Sequence, residues 1–366
     1  MNDSSTYYRI ALKQVHGLGN VTQRKLIQHF GDAESIFQAP TTTLARDFKI
    51  PKRITKQLNS KEVHRAAEDE MQFIDREKID VLWFEDSSYP ERLRQVFDAP
   101  VLLYKKGNYD LNAPKIIAVV GTRSCTPYGL EKTNEIIDGI APHHPLIISG
   151  LAYGVDVTAH RRAMKNNLST VGVLGHGLNK IYPAAHRKEA EMMCENGGLL
   201  TEFPSNVKVS PELFPMRNRI VAGLADTLVV IEAAKKGGAL ITAEFAFGYN
   251  RDIFALPGRV GDRYSEGCNH LIKQQKAHLL QSAKDIEYIM RWEQREAPRS
   301  VQKQMFIELT DEEQQIYDYL QGQGTVGMET LMIDLNLPGS ALASRLLQLE
   351  LKGVVLAIPG KKYSVT

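Results

Sequence analysis

Short apolar runs alternate with amphipathic segments between residues 80 and 290 of this 366-residue chain. The runs are VLWF (81–84), KIIAVV (115–120), PLIIS (145–149), STVGVLG (169–175), GLLTEF (198–203), TLVVIEA (227–233) and DIFALP (252–257). Several are apolar throughout and rich in β-branched residues, which is typical of strands buried on both faces. Segments of helical period, such as 129–141, separate them. This alternation predicts an α/β domain built on a doubly wound, mostly parallel sheet.

The flanks of this domain have different patterns. Residues 1–70 are helical in period and contain a Gly-Leu-Gly turn at 17–19, similar to that of a helix-hairpin-helix or sterile-alpha-motif-like unit. The N–H groups of such a turn either meet a DNA phosphate or only pack against protein, and the sequence leaves both roles open. We divide the chain into a helical domain (1–70), the α/β core (71–295), a polar linker (296–304) and a C-terminal domain (305–366).

The C-terminal domain resembles a winged helix. Thr310 and Glu313 have the spacing of a capping box, a second helix is predicted at 327–335, and a two-stranded tip follows the third helix. Arg345 and Lys352 are the cations of that third helix, which is few for a helix that reads the major groove. The pattern favours a contact with protein or a weak contact with duplex DNA.

The composition, with 43% hydrophobic and 24% charged residues, is that of an ordinary globular protein. A formal net charge of +2 does not by itself indicate nucleic acid, so any basic surface must be local. Cys125, Cys194 and Cys268 form no Cys-x-x-Cys pair, and we expect free thiols rather than disulfides or zinc ligands. With no secretory signal pattern and no apolar run of about 20 residues, we expect a cytoplasmic protein without a membrane span or a bound metal.

Ligands of doubly wound sheets bind at the carboxyl ends of the strands, so the turns after the apolar runs are the candidate sites. Four of these turns are rich in glycine. They are Gly121-Thr122-Arg123-Ser124, Gly150 to Asp156, Gly175-His176-Gly177 and Lys235-Lys236-Gly237-Gly238. Glycine lets backbone N–H groups approach a ligand closely, and a helix start adds a positive dipole end. Four such turns on one edge, two of them with cations, predict an anionic ligand.

Arg217 on the predicted helix 214–226 has the same implication, because it falls on the apolar stripe of that helix. The stripe consists of Ile220, Val221 and Leu224. A buried charge without a partner is costly, so Arg217 must bind an anion or pair within the protein, with Asp226 or Glu244 as candidate partner. Arg219 points to another face of the helix, where a solvated surface charge is expected unless a ligand binds it.

Seven motifs resemble one bacterial family in their order and spacing. They are VVGTRSCTPYG (119–129), ISGLAYGVDVTAH (148–160), VLGHGLNKIYP (173–183), GGLLTEFP (197–204), FPMRNRIVAGLAD (214–226), VVIEAAKKGGALITAEFAFGYNRDIFALPG (229–258) and SEGCNHLI (265–272). Over roughly residues 80–280 the chain is similar to the DNA-processing protein A (DprA/Smf) family. The resemblance implies an extended Rossmann-like core and a homodimer. It also implies a protein that binds single-stranded DNA, protects incoming DNA and loads a RecA-type recombinase in natural transformation, with no enzymatic activity and no cofactor.

On this resemblance we assign the DNA-binding residues to the glycine-rich edge. They are Gly121, Thr122, Arg123, Ser124, Ser149, Gly150, Gly154, His176, Arg217, Asn218, Arg219, Lys236, Gly237 and Gly238. A glycine turn with an arginine grips a phosphate without reading a base, which suits a flexible single strand. The candidates for base stacking are Tyr128, Tyr153 and Phe214. The chain departs from the family after Pro183, where a lysine is frequent and the positive charge here comes later, at Arg187 and Lys188.

An enzyme is the alternative. The core also resembles, more distantly, the phosphoribohydrolases that release a base from a nucleoside monophosphate. In that interpretation Glu244 supplies the carboxylate beside the phosphate-binding turn, and Arg217 or Arg219 supplies the arginine. Against it, the turn lacks the Gly-Thr of those enzymes, and no second carboxylate is evident in the sequence. Pairing of Glu244 with a neighbouring cation is the simpler expectation.

The resemblance implies dimerisation through residues 265–280, at the end of the core. The apolar side chains expected in that interface are Leu271, Ile272, Leu279 and Leu280. The same side chains would serve equally to close the core of a monomer, and the sequence leaves both roles open.

Overall fold

A computed structural model describes residues 4–292 and 309–366 of the chain. The predicted linker at 296–304 lies outside the described residues. The chain divides into two compact units, residues 1–283 and 284–366. In the two described ranges, no helix is long and apolar enough to cross a bilayer.

Six helices form the N-terminal part of the first unit. They are α1 (Ser4–Gln14), α2 (Asn20–Phe30), α3 (Ala33–Gln38), α4 (Thr41–Asp47), α5 (Lys52–Thr55) and α6 (Lys61–Glu77), with a 3-10 turn at Lys56–Asn59. The Ser60 side chain caps α6 by accepting from the Val63 N–H. The predicted domain boundary at residue 70 falls inside α6, because Phe73 and Ile74 continue its buried face.

A nine-stranded sheet follows. Its strands are β1 (Asp80–Trp83), β2 (Leu102–Asn108), β3 (Ile116–Val120), β4 (Leu146–Ser149), β5 (Thr170–Val173), β6 (Gly197–Thr201), β7 (Thr227–Val230), β8 (Asp252–Ala255) and β9 (His278–Leu279). The spatial order is β1-β2-β6-β5-β4-β3-β7-β8-β9. Strands β3 to β9 are parallel, and only β1 and β2 pair antiparallel at one end. The predicted mostly parallel, doubly wound sheet is therefore confirmed.

The sheet is wound with helices after most strands. They are α7 (Glu91–Arg94), α8 (Pro127–Ile140), α9 (Val155–Lys165), α10 (Arg187–Met193), α11 (Leu213–Leu224), α12 (Gly238–Gly248), α13 (Glu266–Lys273) and α14 (Ala283–Ile289). After β3 the chain continues to β4, β5 and β6 on one side, whereas after β7 it continues to β8 and β9 on the other. Neighbouring β3 and β7 thus form the switch point of the sheet, where such folds bind ligands.

The core consists of two hydrophobic layers, one on each face of the sheet. Leu103 packs in the layer that contains Ile220 of α11, whereas its neighbour Leu102 packs in the layer that contains Leu26 of the helical domain. Successive residues of a strand point to opposite faces, so β2 is buried from both sides. The helical domain therefore packs on the α/β core as part of the first unit.

The second unit contains α15 (Asp311–Gln323), β10 (Val326–Gly327), α16 (Met328–Asp334), α17 (Gly339–Leu351), β11 (Val355–Ile358) and β12 (Lys362–Val365). The strands form an antiparallel sheet in the order β10-β12-β11. The predicted capping box of Thr310 and Glu313 is present at the start of α15. Three helices with this small sheet are a winged helix, and its two predicted cations are in ion pairs, Arg345 with Glu312 and Lys352 with Glu313.

Candidate nucleic-acid interface

A cleft of about 620 Å³ opens at the carboxyl ends of β3 and β7. Most of the residues predicted from the sequence line it, and they come from turns that are far apart along the chain. These residues are Gly121, Thr122, Arg123, Ser124, Gly150, Arg217, Asn218, Lys236, Gly237 and Gly238. The structure thus brings the turns after β3, β4 and β7 together with α11 at one site.

Close packing fixes the turn after β3. A Cβ atom at Gly121 would lie 2.8 Å from the Cβ of Val155, and one at Gly154 would lie 2.8 Å from the carbonyl oxygen of Arg123. Neither position has space for a side chain, and Gly154 also has a φ of +77°, which favours glycine. Gly154 itself does not line the cleft. It lets the start of α9 pack against the backbone that carries Arg123.

Arg123 is an exposed cation of the cleft. Its backbone is held because the Thr122 N–H donates to the carbonyl oxygen of Glu232 at 2.8 Å. The Arg123 guanidinium lies over the Phe214 ring, 5.5 Å from the ring centroid. It makes no ion pair with any residue in the described part of the chain. A fixed backbone and an unneutralised guanidinium suit the binding of an anion.

Arg217 is a buried cation beside it, only 6% exposed. Its guanidinium donates to the carbonyl oxygen of Val173, and its Nε donates to Asn218 Oδ1 at 3.1 Å. Burial lowers the pKa of Arg217, and the nearby Asp156 carboxylate opposes that shift. Burial likewise raises the pKa of Asp156, and Arg217 opposes it. The two side chains therefore partly neutralise each other at the floor of the cleft.

The partners predicted for Arg217 are wrong. Asp226 accepts from Arg92, with 2.6 Å between Nε and Oδ1. Glu244 lies on α12, is 57% exposed and pairs with Lys276 at 2.7 Å. This is the pairing with a neighbouring cation that the sequence analysis expected. Glu244 does not line the cleft, so it is not at the position where the enzyme alternative requires it.

The start of α12 also faces the cleft. Gly238 and Ala239 line the cleft and belong to the first turn of α12, whose N–H groups have no acceptor inside a helix. Asn218 Nδ2 donates to the Gly238 carbonyl oxygen at 3.2 Å, which ties this turn to α11. Exposed Lys236 precedes it. The positive end of the helix dipole therefore lies close to the two arginines.

Arg219 does not line the cleft, although the sequence placed it among the binding residues. It is 7% exposed, so the expectation of a solvated charge is wrong as well. Its guanidinium pairs with Glu202 and donates to the carbonyl oxygen of Asp98 at 2.6 Å. Glu202 also accepts from Asn20 Nδ2 at 2.9 Å and lies 3.7 Å from Lys13 Nζ. Burial disfavours the charge on Glu202, but Arg219 and Lys13 outweigh it and lower the pKa of Glu202.

This ion-pair cluster joins the helical domain to the core. Asn20 is the first residue of α2, directly after the Gly-Leu-Gly turn, and Leu18 of that turn is buried. The sequence left open whether this turn contacts DNA or protein. In the structure, buried Leu18 and the bond from Asn20 to Glu202 are contacts with protein.

Two further predicted residues, Ser149 and His176, do not line the cleft, and His176 lines a smaller cavity beside Arg123 and Arg217. Ser149 is buried, and its hydroxyl donates to the carbonyl oxygen of Val119 at 2.6 Å. His176 is 1% exposed, with Nδ1 hydrogen-bonded to the carbonyl oxygen of Gly177 at 2.9 Å. Burial lowers the pKa of His176, so the imidazole is neutral near pH 7. Both residues support the turns instead of presenting charge to a ligand.

The aromatic candidates separate into two groups. Tyr153 and Phe214 line a cavity of about 60 Å³ beside Arg123 and Arg217. Tyr128 lies in a different cleft, away from these two.

The predicted dimer residues differ in their exposure to solvent. Leu271 and Leu280 are fully buried within the first unit, which is the monomer-core role that the sequence left open. Leu279 is 46% exposed, and Ile272 is half-buried against the core.

Sequence reasoning missed several residues of the cleft. Tyr182, Pro211, Arg263 and Tyr264 line it as well. A signal for the last two existed, because they belong to the turn after the apolar run DIFALP, and the turns that follow parallel strands lie at one edge of the sheet.

The fold and the cleft define a class of protein, a doubly wound α/β protein with a crevice at its switch point that is lined by arginine and glycine residues. Comparison with protein families narrows the class. A family model described as DNA recombination-mediator protein A matches residues 80–291, and one described as the DprA winged helix domain matches residues 303–361. The chain belongs to the DNA recombination-mediator protein A family.

Individual relatives agree with this membership. The DNA processing protein DprA of Streptococcus pneumoniae is 40% identical over 201 residues, which cover 55% of this chain and 71% of that protein. The protein Smf of Escherichia coli is 34% identical over 278 residues, 74% of each chain. The X-ray structure of the Streptococcus pneumoniae protein superimposes with a TM-score of 0.64 at 32% identity, covering 77% of this chain and 97% of that one. A structure of DNA processing protein A from Helicobacter pylori, which addresses its single-stranded DNA binding mode, gives a TM-score of 0.52 at 28% identity and covers 57% and 94%.

Proposed function

We propose that this protein binds single-stranded DNA in the cleft at the switch point, protects incoming DNA and loads a RecA-type recombinase onto it in natural transformation. The observation that carries the proposal is the convergence of exposed Arg123, buried Arg217 and the start of α12 on one open cleft. The single-stranded DNA binding mode of the related Helicobacter pylori protein supports the same ligand.

The cleft recognises phosphate rather than a base sequence. Arg123 supplies a charge-assisted hydrogen bond, and the N–H groups at Gly238 and Ala239 supply a dipole end. Arg217 already donates to protein oxygens, so it acts mainly by holding positive potential at the floor of the cleft. The Asp156 carboxylate lowers that positive potential, because it lies close to Arg217. A flexible strand offers phosphates in series to such a site, whereas the rigid backbone of a duplex does not enter it.

The recombinase step and the homodimer are part of the proposal. Family membership supports both, and exposed Leu279 with half-buried Ile272 is the apolar surface available at the predicted dimer segment. Two copies of the cleft in one dimer would hold two strands side by side.

Fluorescence anisotropy with an oligothymidylate, a duplex of the same length and a nucleoside monophosphate tests the proposal. We expect binding of the single strand alone, with log K falling by about 0.7 per phosphate contact for each log unit of salt. Equal affinity for the monophosphate and the oligomer would contradict a polymer site.

A further inference from the structure

A second cleft, of about 800 Å³, adjoins the first at the carboxyl end of β8. The two clefts share Arg263 and Tyr264 in their walls, so they are direct neighbours. The second cleft is lined by Thr126, Tyr128, Glu232, Pro257, Gly258, Arg259, Asp262, Arg263, Tyr264 and Ser265. Tyr128 is a base-stacking candidate from the sequence, and the other residues of this cleft were not predicted to bind DNA.

The charges of this second cleft favour an anion. Arg259 and Arg263 are exposed, and neither makes an ion pair with the residues that the structure describes. Glu232 is buried and already occupied, since its carboxylate accepts from the Thr126 N–H at 2.9 Å and from the Thr126 hydroxyl at 2.5 Å. Asp262 is the exposed carboxylate of the cleft, and it opposes the two arginines.

Aromatic rings accompany these cations. The Arg263 guanidinium lies 5.6 Å from the centroid of the Tyr264 ring, and Tyr128 is 46% exposed on the opposite wall at the start of α8. Alternating guanidinium and aromatic groups along a groove are the usual means by which proteins hold unpaired nucleotides without reading them.

We propose that the β8–α13 loop, residues 257–265, and Tyr128 form a second subsite that binds the continuation of the same DNA strand. Arg259 and Arg263 contact successive phosphates, and Tyr264 and Tyr128 stack with bases. The proposal rests on the proposed function, because the strand must first occupy the cleft of Arg123. Two neighbouring clefts, each lined by exposed arginines, suit an extended polymer that occupies both.

Oligomer length separates the two subsites. Anisotropy titrations of the full chain would use oligothymidylates of about 4 and about 16 nucleotides, the span of site sizes known for single-strand binders. The variant Arg259→Glu, at a residue that lines the second cleft and not the first, should weaken the long oligomer by about fivefold or more and reduce its salt slope by about 0.7, the value for one lost phosphate. The short oligomer should bind as it does to the wild type.

Two further variants keep the result interpretable. Asp262→Asn removes the opposing charge from an exposed side chain, so it should strengthen binding of the long oligomer, an effect that misfolding cannot produce. Arg65→Glu on α6 makes the same charge change at an exposed position far along the chain from both clefts and should leave binding of the short oligomer and the length dependence unchanged.

The outcomes distinguish this inference from the proposed function. If the wild type binds neither oligomer, both are wrong. The other outcome is that the wild type binds both oligothymidylates, while the loop variants bind the long oligothymidylate with wild-type affinity and salt slope. In that case the second subsite is wrong and the first stands.

Discussion

Asn218 on α11 links Gly238 to Arg217. Its Nδ2 donates to the Gly238 carbonyl oxygen at 3.2 Å, while its Oδ1 accepts from Arg217 Nε at 3.1 Å. One side chain therefore sets the position of the α12 start relative to Arg217. Both groups line the cleft proposed to bind DNA, so in that proposal their relative position decides whether they act on the same phosphate.

Replacement of this bridge should weaken DNA binding without unfolding the protein. Asn218→Ala removes two hydrogen bonds at a site open to solvent, and we expect a loss of about two- to tenfold in affinity for oligothymidylate. Asn196→Ala is the matched control, because Asn196 makes a similar exposed bond to the Asn167 carbonyl oxygen at 3.1 Å, on a turn that does not line the cleft. Equal losses in both variants would show that the Asn218 bridge has no particular role.

Arg219 should matter for stability rather than for DNA contact. Arg219→Met leaves the Glu202 carboxylate buried with only Lys13 and Asn20 beside it, so the free energy of unfolding should fall by about 3 kcal/mol or more. Urea denaturation measures this change. The exposed Arg65→Met should change it by about 0.5 kcal/mol at most.

The opposite result has a clear meaning for Arg219. A variant with full stability and no DNA binding would return Arg219 to the binding surface that the sequence predicted for it.

The buried imidazole of His160 should make stability depend on pH. Nε2 of His160 lies 2.9 Å from the Gly150 carbonyl oxygen, and burial lowers its pKa from 6.5 to about 4. Because the folded state favours the neutral ring, its contribution is complete above pH 6.5 and is lost as the pH falls towards 4. Between about pH 7 and pH 4.5 the wild type should lose up to ~3 kcal/mol more stability than His160→Gln, which has no ring to protonate. Parallel pH profiles of the two proteins would contradict this assignment.

Glu244 should be dispensable for function. Its ion pair with Lys276 is on the surface, so Glu244→Gln should change the stability by less than about 1 kcal/mol. Oligothymidylate affinity should stay at the wild-type value. Release of free base from a nucleoside monophosphate, followed by chromatography and lost in Glu244→Gln, would instead support the enzyme alternative.

Much of the fold follows from pattern alone. All seven apolar runs of the sequence contain or overlap a strand, because β-branched runs bounded by turns are readable without tertiary information. Strand β2 was not recognised, since its second half, from Lys105 to Asn108, is polar. Strand β9 was not recognised either, because it has only two residues. The domain boundary predicted at residue 70 falls inside α6, directly after the acidic residues 68–70.

The glycine turns of the cleft could be predicted from the sequence, whereas the ion-pair partners of the arginines of α11 could not. Glycine turns after strands lead to Gly121, Gly150 and Gly238, because the carboxyl ends of parallel strands share one edge. The partner of Arg219 could not be foreseen, since Glu202 belongs to another strand end and Asn20 to another domain. For the same reason, helical spacing alone did not show that Leu271 and Leu280 are enclosed by the protein's own core.

The charge of Arg123 offers the most direct test of the account. Arg123→Glu replaces an exposed cation of the cleft with an anion on a backbone held from both sides, so the circular dichroism spectrum and melting temperature should stay those of the wild type. Affinity for oligothymidylate should fall by at least about tenfold, and the salt slope should decrease by about 0.7 or more. Arg65→Glu, with the same charge change on α6, should bind like the wild type. A folded Arg123→Glu protein with wild-type affinity and salt slope would contradict the claim that this edge of the sheet binds the DNA backbone.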